Sequence, residues 1–302
     1  MKAPISDAHQ HFWDPNCDAL EWMAPSYESI RRPFGPGDLQ PSLGRNGVAA
    51  TIAVQASAAT EESVRLLWHA ESTPFICGVV GWVDLTQANV GQQIEQLQGA
   101  TGGRYLVGIR HDATSEPDPD WLIRPEVSRG LEIVGRAGLT FDLEITAQEM
   151  SAACRAVSRH PAVRFVLDHL GKPAVLKGID PAWVRDIRLI ASFPNVFAKV
   201  SGLVTEADWA GWTDQDIESH AQVALEAFGW RRLLFGSDWP VCLVAATYDQ
   251  VARASWIDHV LPSQEATEHV LALNAIDAYA LTEVHLAATS GLGGSIERSA
   301  DR

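Results

Sequence analysis

Two histidines near the start of the chain, His9 and His11, are spaced so that both can act on one target. They lie at the end of the first predicted strand, and side chains at i and i+2 of a strand point to the same side. Neutral imidazole is the commonest metal ligand and the readiest acid or base near pH 7. The chain contains 10 histidines, so a chance pair is the alternative, and further partners are needed to indicate a site.

Two such partners follow other predicted strands, because His169 comes after the sixth and Asp238 after the eighth. With His9 and His11 they form a set that could hold a divalent ion such as zinc, with water at an open position. The same four could work without metal, Asp238 taking a proton from water while the imidazoles polarise a carbonyl. The structural alternatives are a satisfied core histidine for His169 and, for Asp238, a cap on the turn into Pro240.

Arg110 and His111 end the fourth predicted strand. A guanidinium at this position suits a carboxylate or a row of hydroxyls, which predicts substrate binding. An ion pair with a neighbouring acid such as Glu144 is the alternative for Arg110. Lys199 lies within the seventh predicted strand, and we expect its side chain to point inward as part of a buried pair.

These residues can meet only if the strand ends gather at one place, and the order of elements predicts that they do. Eight β-rich segments alternate with helical segments. They are residues 4–8, 49–55, 76–83, 106–110, 140–145, 164–168, 196–200 and 233–236. This alternation predicts an α/β fold, a single-domain (β/α)₈ TIM barrel over residues 1–286, with catalytic groups at the C-terminal strand ends. A doubly wound sheet is the alternative, but it usually carries a Gly-rich loop where this chain has His-Gln-His.

Helix boundaries can be placed at several points between these strands. Residues 146–149 form a capping-box pattern, and Asp180 followed by Pro181 is typical of a helix start. A further helix is predicted to begin after Thr213 and to end at Gly229.

A long insert, residues 14–43, follows the first strand and exceeds an ordinary connection. In a barrel it would lie over the mouth as a lid or a substrate wall; a loop packed on the outside is the alternative. We predict that Trp22 and Arg31 of this insert help to bind the substrate. Trp239 and Trp212 are predicted to supply an apolar wall against a sugar face, with a core position as the alternative.

Composition restricts the partners of the chain. Its 302 residues carry a formal net charge of −15, which disfavours nucleic acid and anionic membranes. No apolar run approaches the roughly 20 residues of a spanning helix, and no signal peptide is recognisable. The four cysteines are scattered, which predicts reduced thiols and a cytoplasmic location. A homodimer remains open, and residues 287–302 are predicted to be a flexible tail.

Several motifs together resemble the amidohydrolase superfamily, within the branch of sugar-lactone hydrolases that includes L-fuconolactonase and L-rhamnonolactonase. They are Asp-Ala-His-Gln-His-Phe-Trp-Asp-Pro at 7–15, Leu-Asp-His-Leu-Gly-Lys-Pro at 167–173, Lys-Val-Ser-Gly-Leu at 199–203, Thr-Glu-Ala-Asp-Trp at 205–209 and Leu-Leu-Phe-Gly-Ser-Asp-Trp-Pro-Val-Cys at 233–242. The resemblance covers nearly the whole chain, insert included.

The resemblance implies a barrel that hydrolyses a cyclic ester, with Asp238, His169 and His11 as catalytic groups and Asp238 activating water. Many members of the superfamily have a metal-bridging Lys or Glu on the fourth strand and a His on the fifth. This chain has Arg110 and His111 on the fourth strand and no His on the fifth. That departure argues against two metal ions and leaves one, zinc first, or none.

Three alternatives to a sugar-lactone substrate remain at this point. The same barrel serves non-oxidative decarboxylases of aromatic acids in a related branch. A carboxylated lactone of the muconolactone or pyrone type would also suit an Arg-lined site. The last alternative is a sugar-acid binding protein without catalysis, since fold alone does not fix function.

Overall fold

Eight parallel strands, hydrogen-bonded in chain order, form the centre of the computed structural model, which describes residues 5–283 and 285. The strands are β1 (Ile5–Gln10), β2 (Val48–Val54), β3 (Ile76–Gly81), β4 (Leu106–Asp112), β5 (Thr140–Glu144), β6 (Phe165–Leu167), β7 (Val196–Val200) and β8 (Leu233–Phe235). The predicted (β/α)₈ barrel is therefore confirmed. The predicted tail at 287–302 lies outside the described residues.

The first and last strands meet just beyond the end of β8. The Asp238 amide donates to the His9 carbonyl at 2.8 Å, and the His11 amide donates to the Trp239 carbonyl at 2.7 Å. These bonds extend β1 to Gln10, two residues past its predicted end. They also tie the chain around His9 and His11 directly to the chain around Asp238.

Helices cover the outside of the strands. They are α1 (Pro36–Asn46), α2 (Thr60–Ser72), α3 (Val90–Gly99), α4 (Pro125–Arg136), α5 (Met150–Arg159), α6 (Pro181–Ala191), α7 (Asp214–Phe228), α8 (Tyr248–Ala252), α9 (Trp256–His259), α10 (Gln264–Glu268) and α11 (Asn274–Ala278). A π-helical stretch, His269–Leu273, joins the last two. Within the described residues, no helix has the length and apolar character needed to cross a membrane.

Two of the three predicted helix starts carry the expected side-chain cap. At the third, the Thr146 amide donates to Glu149 at 2.9 Å, but α5 begins only at Met150, without a side-chain cap. The Asp180 side chain accepts from the Ala182 amide at 2.8 Å at the start of α6. At the start of α7, the Thr213 amide donates to the Asp216 carboxylate at 2.8 Å. Each cap satisfies an amide that the first helical turn leaves without a partner.

The insert after β1 divides into two parts, so its predicted boundary at residue 43 is wrong. Helix α1 takes up its second part, with Pro36 in the first turn and Gly47 after the last. Residues 14–35, here called the wall loop, make up the first part. Paired backbone hydrogen bonds of 3.1 and 2.9 Å between Trp13 and Phe34 close the base of this loop. Trp22 donates to the Ala56 carbonyl at 2.8 Å and fixes the loop beside the end of β2.

The opposite end of the barrel is closed by the end of α11 and by Tyr279, which follows it. Thr140, the first residue of β5, donates its hydroxyl to the Ala278 carbonyl at 2.7 Å. Tyr279 enters the barrel and donates its hydroxyl to Asp142 at 2.7 Å. Within residues 5–283 and 285, the barrel interior is therefore packed at this end, and the candidate site lies at the C-terminal strand ends.

Candidate active site at the mouth of the barrel

The four residues predicted to form a site lie together at the C-terminal ends of the strands. His9 Nε2 and His11 Nε2 are 3.1 Å apart. Asp238 Oδ1 lies 3.3 Å from His11 Nε2 and 3.7 Å from His9 Nε2. His169 Nε2 is 4.0 Å from the same oxygen. Three imidazoles therefore converge on one carboxylate oxygen, and all four residues are at least 95% buried.

Unusual backbone conformations place two of these side chains. His169 has φ of +52° and Asp238 has φ of +57°, in the left-handed region that few non-glycine residues adopt. Two glycines leave the room that the rings occupy. A Cβ at Gly202 would lie 2.6 Å from His169 Nδ1, and one at Gly236 would lie 2.7 Å from the Cβ of His9. The chain beside these rings must therefore be glycine at both positions.

In His11 and in His169, the ring nitrogen Nδ1 has a hydrogen-bond partner outside the group of four residues. The His11 Nδ1–H group donates to the Val54 carbonyl at 2.8 Å. That bond leaves the Nε2 lone pair of neutral His11 directed at Asp238. His169 Nδ1 lies 2.9 Å from the hydroxyl of Ser201, which can donate to it. In that tautomer the Nε2–H of His169 faces the cavity.

Burial and local charge set the protonation of the site. Burial disfavours the ionised form of Asp238, but the facing His169 and His11 outweigh it, so the pKa of this carboxyl lies below its ordinary value. Burial lowers the pKa of His169. Burial and the neighbouring Lys199 hold the pKa of His9 well below its ordinary value. At neutral pH the site therefore contains the Asp238 carboxylate beside neutral His9 and His169.

A buried layer of charges lies beneath the histidines. Lys199 Nζ lies 2.6 Å from Asp142 Oδ2, 2.8 Å from Asp168 Oδ1 and 3.0 Å from His9 Nδ1. The predicted inward position of Lys199 in a buried pair is thus confirmed. Burial opposes ionisation of Asp168, yet Lys199 and His9 hold the pKa of that carboxyl well below its ordinary value. This layer supports His9 from below.

Arg110 forms an ion pair with Glu144, which was the alternative to substrate binding by this residue. Its Nη1 lies 3.0 Å from Glu144 Oε2 and 3.2 Å from Asp168 Oδ2, and Nη2 donates to the Gln55 carbonyl. Lys172 Nζ lies 2.8 Å from the other oxygen of Glu144. The guanidinium borders the cavity, but its charge is already matched by carboxylates.

Two other predicted substrate-binding residues line the same cavity. His111 stacks on Trp121 with ring centroids 4.1 Å apart, and its Nε2 lies 2.8 Å from Glu116 Oε1. Trp22 of the wall loop presents its ring to the opening, because its Nε1 is held by the Ala56 carbonyl. Their contact with substrate stays a prediction.

The positions predicted for Arg31 and for the two tryptophans of the apolar wall are wrong. Arg31 donates to the Met23 carbonyl at 2.6 Å, and so it holds the wall loop together outside the cavity. Trp239 is 3% exposed and packs edge-on against Phe34 at 5.3 Å. Trp212 donates to the Ala245 carbonyl at 2.9 Å and does not line the cavity. Trp239 is therefore a core residue, as in the alternative to the predicted apolar wall.

The cavity above the four residues has a volume of about 650 Å³, which is large enough for a monosaccharide derivative. His11, His169 and Asp238 form its base, and Trp22 and Tyr27 of the wall loop form one side. Polar groups at the base and aromatic groups at the side suit a small polyhydroxylated molecule.

The convergent atoms fit a divalent metal ion. A tetrahedral zinc site with bonds of about 2.0–2.1 Å places neighbouring ligand atoms about 3.3 Å apart. The distances among His9 Nε2, His11 Nε2 and Asp238 Oδ1 are 3.1, 3.3 and 3.7 Å. These residues form one of two groups whose ligand atoms all lie within 4.8 Å; the other joins His9, Asp168 and His169. Both groups concern described residues only.

Comparison with known proteins identifies the family. The amidohydrolase family model matches residues 6–281. The chain belongs to this family. It is 35% identical over 277 residues to an L-fucono-1,5-lactonase of Burkholderia multivorans, covering 88% of this chain and 92% of that protein. It is also 35% identical over 256 residues to an L-fucono-1,5-lactonase of Burkholderia ambifaria, covering 83% and 86%.

A solved structure matches this amidohydrolase over the whole barrel. It is the crystal structure of an amidohydrolase from Burkholderia multivorans with bound zinc, at a TM-score of 0.86 and 34% identity. The match covers 93% of this chain and 100% of that one. The family and the fold predicted from the motifs are therefore confirmed.

Several polar residues in the cavity wall of this amidohydrolase were not singled out from the sequence. Lys172 and Glu206 line the cavity, and both belong to motifs quoted above, at 167–173 and 205–209. Lys172 follows His169 by three residues and Glu206 follows β7. These positions could have indicated that both residues line the cavity. Tyr27 also lines the cavity, but nothing in its sequence neighbourhood indicates this. Its position depends on how the wall loop folds.

Proposed function

We propose that this amidohydrolase opens the ring of a sugar lactone, of the class of L-fuconolactone or L-rhamnonolactone. The observation that carries the proposal is the Asp238 carboxylate with three imidazole nitrogens within 4.0 Å, at the base of the cavity. The lactonase relatives support the same reaction, hydrolysis of a cyclic ester.

In the proposed mechanism, Asp238 accepts a proton from a water molecule held at the base of the cavity. The water oxygen attacks the lactone carbonyl carbon, and the carbonyl electron pair moves onto its oxygen. The Nε2–H of His169 donates to that oxyanion. When the tetrahedral intermediate collapses, the ring C–O bond breaks and the leaving oxygen takes the proton from Asp238. The product is an open-chain hydroxy acid.

We propose that a zinc ion is held by His9, His11 and Asp238. Because the Nδ1–H of His11 is used by Val54, its Nε2 can accept a metal ion but cannot donate to an oxyanion while the ring is neutral. When bound, such an ion would polarise the lactone carbonyl and lower the pKa of bound water.

Hydrolysis of aldonolactones tests the proposed reaction directly. We expect the purified protein to release acid from L-fucono-1,5-lactone or L-rhamnono-lactone with a kcat/KM on the order of 10⁴ M⁻¹ s⁻¹ or higher. Acid release is followed with a pH indicator against spontaneous hydrolysis. A panel of hydroxylated aromatic acids, assayed for carbon dioxide, serves as the comparison. Decarboxylation of these acids with every lactone inert would contradict the proposal.

Metal removal tests the proposed zinc site. Protein purified without chelator should contain about one zinc ion per chain. Stripping should lower the thermal midpoint, because a ligand bound only by the folded state stabilises it. Zinc should restore the midpoint in the wild type but not in the double variant His9→Ala/His11→Ala. If no ion is found and zinc leaves the midpoint unchanged, the four residues work without metal.

We also propose the cytoplasmic location predicted from the cysteines. All four cysteines are unpaired, and Cys77, Cys154 and Cys242 are buried. Free thiols of this kind persist in a reducing compartment.

A further inference from the structure

The cations that border the cavity are both occupied by carboxylates of the protein. Lys172 pairs with Glu144, and Arg110 pairs with Glu144 and Asp168, at distances between 2.8 and 3.2 Å. These two positive charges are balanced by the two carboxylates they contact. An anionic group on a substrate would therefore meet cations whose charge is already offset by carboxylates, which weakens its attraction to them.

One carboxylate in the cavity wall is in the opposite situation. Glu206 ends the turn after β7 and lines the same cavity as Asp238. Its side chain has no hydrogen-bond or ion-pair partner among residues 5–283 and 285. Burial raises the pKa of Glu206; the charge of Lys172 opposes this and that of Asp238 adds to it. A half-buried carboxylate without a partner is best satisfied by donors that a ligand brings.

Tyr27 adds a second free polar group to this part of the wall. Its ring lies between Trp22 and Trp209, with centroids 5.6 and 5.3 Å away. Within the described part of the chain, its hydroxyl has no hydrogen-bond partner. Burial raises the pKa of Tyr27, and so do the charges of Glu206 and Asp238, because all three groups face the same space. Hydroxyls of a sugar can donate to Glu206 and accept from Tyr27.

The other wall carboxylates differ from Glu206 in depth or in partner. Asp112 accepts from the amide and the hydroxyl of Thr114, at 2.9 and 2.6 Å. Glu21 lies at the exposed rim of the cavity. Among the described residues, Glu206 is thus the half-buried wall carboxylate that no donor of the protein contacts, whereas the proposed zinc ion would offset the charge of Asp238. The proposed reaction turns a neutral lactone into a carboxylate in the same cavity as Glu206.

We infer that Glu206 determines specificity. Its carboxylate favours neutral polyhydroxylated lactones, which can donate hydrogen bonds to it, over lactones that carry a carboxylate. For the same reason it weakens binding of the anionic product. This inference rests on the proposed lactonase function. It also excludes carboxylated lactones of the muconolactone or pyrone type as good substrates of this cavity.

The test compares Glu206→Gln with the wild type on two lactones of one ring size. One is a neutral aldonolactone, and the other is an aldaric monolactone with a carboxylate on the side chain. We expect the wild type to prefer the neutral lactone, and Glu206→Gln to reduce the ratio of the two kcat/KM values about tenfold, because one unit charge in a partly solvated cavity is removed. The inhibition constant of the aldonate product should fall by a similar factor.

Two variants separate charge from structure. Glu206→Asp keeps the charge and should retain most of the discrimination. Glu21→Gln removes the same charge at the exposed rim, where salt screens it, and should change the ratio less than twofold. The inference is overturned if Glu206→Gln leaves both the ratio and product inhibition within twofold of the wild type, or if Glu21→Gln matches its effect. A wild type that opens neither lactone contradicts the proposed function instead.

Discussion

Replacement of Asp238 by asparagine is expected to lower kcat by about 10²–10⁴-fold, the range typical of a lost general base. The amide has the shape of the carboxylate but accepts no proton from water at neutral pH. Asparagine also tolerates the left-handed φ of +57° at this position, so the backbone can stay in place. The loss should therefore appear in turnover and leave the fold intact.

The measurement is the initial rate of acid release at saturating lactone, with urea unfolding of each variant as the check on folding. Asp112→Asn is a matched control, because Asp112 also lines the cavity and the mechanism does not use it. We expect this control to keep kcat within about threefold, since it lies outside the proposed chemistry. Full activity of a folded Asp238→Asn protein would refute the assigned base.

The part of the site that follows from strand geometry was predictable from the sequence. His9 and His11 are two residues apart on one strand, so their shared direction is a local property. His169 and Asp238 come directly after strands of a barrel, and barrels gather such positions at one end. These two rules place all four residues without knowledge of any long-range contact.

The errors concern side chains whose direction depends on tertiary contacts. Trp239 follows Asp238 directly, and with Asp238 facing the cavity its ring packs on Phe34 instead. Arg31 lies on the wall loop, whose path is set by contacts such as that of Trp22 with the Ala56 carbonyl. No periodic pattern encodes such a path.

The start and the end of α1 could also have been predicted from the sequence. Pro36 after Gly35 is a helix-start signal and Gly47 is a helix-end signal, and together they bound α1 within the predicted insert. The glycines Gly202 and Gly236 are different, because crowding by His169 and His9 explains them, together with the φ of +64° at Gly202. A single sequence does not reveal which glycines are required for space.

Replacement of Lys199 by methionine is expected to lower the free energy of unfolding by about 3–5 kcal/mol, as is usual when one partner of a buried ion pair is removed. Lys199, Asp142 and Asp168 are all fully buried. Methionine fills most of the same volume but supplies no charge. Asp142 would then have no cation, and Asp168 would keep only Arg110, in a place that water does not reach.

Lys172→Met is the matched control, because Lys172 also pairs with a carboxylate but is partly exposed. Its partner Glu144 keeps a second cation, Arg110, so we expect a loss of about 1 kcal/mol or less. Both variants are measured by urea denaturation at pH 5 and pH 8. A loss below about 1 kcal/mol for Lys199→Met at pH 8 would show that the buried carboxylates do not depend on it.

Measurement at two pH values tests how the loss of stability in Lys199→Met depends on pH. Without Lys199, burial and mutual repulsion raise the pKa of the Asp142–Asp168 pair in the folded protein above its value in the unfolded chain. The folded state then binds protons more tightly than the unfolded state, so the stability of the variant falls as the pH rises. The deficit relative to the wild type should therefore be larger at pH 8 than at pH 5. The second replacement Asp142→Asn removes the carboxylate that is left without a cation and should recover part of the loss at pH 8.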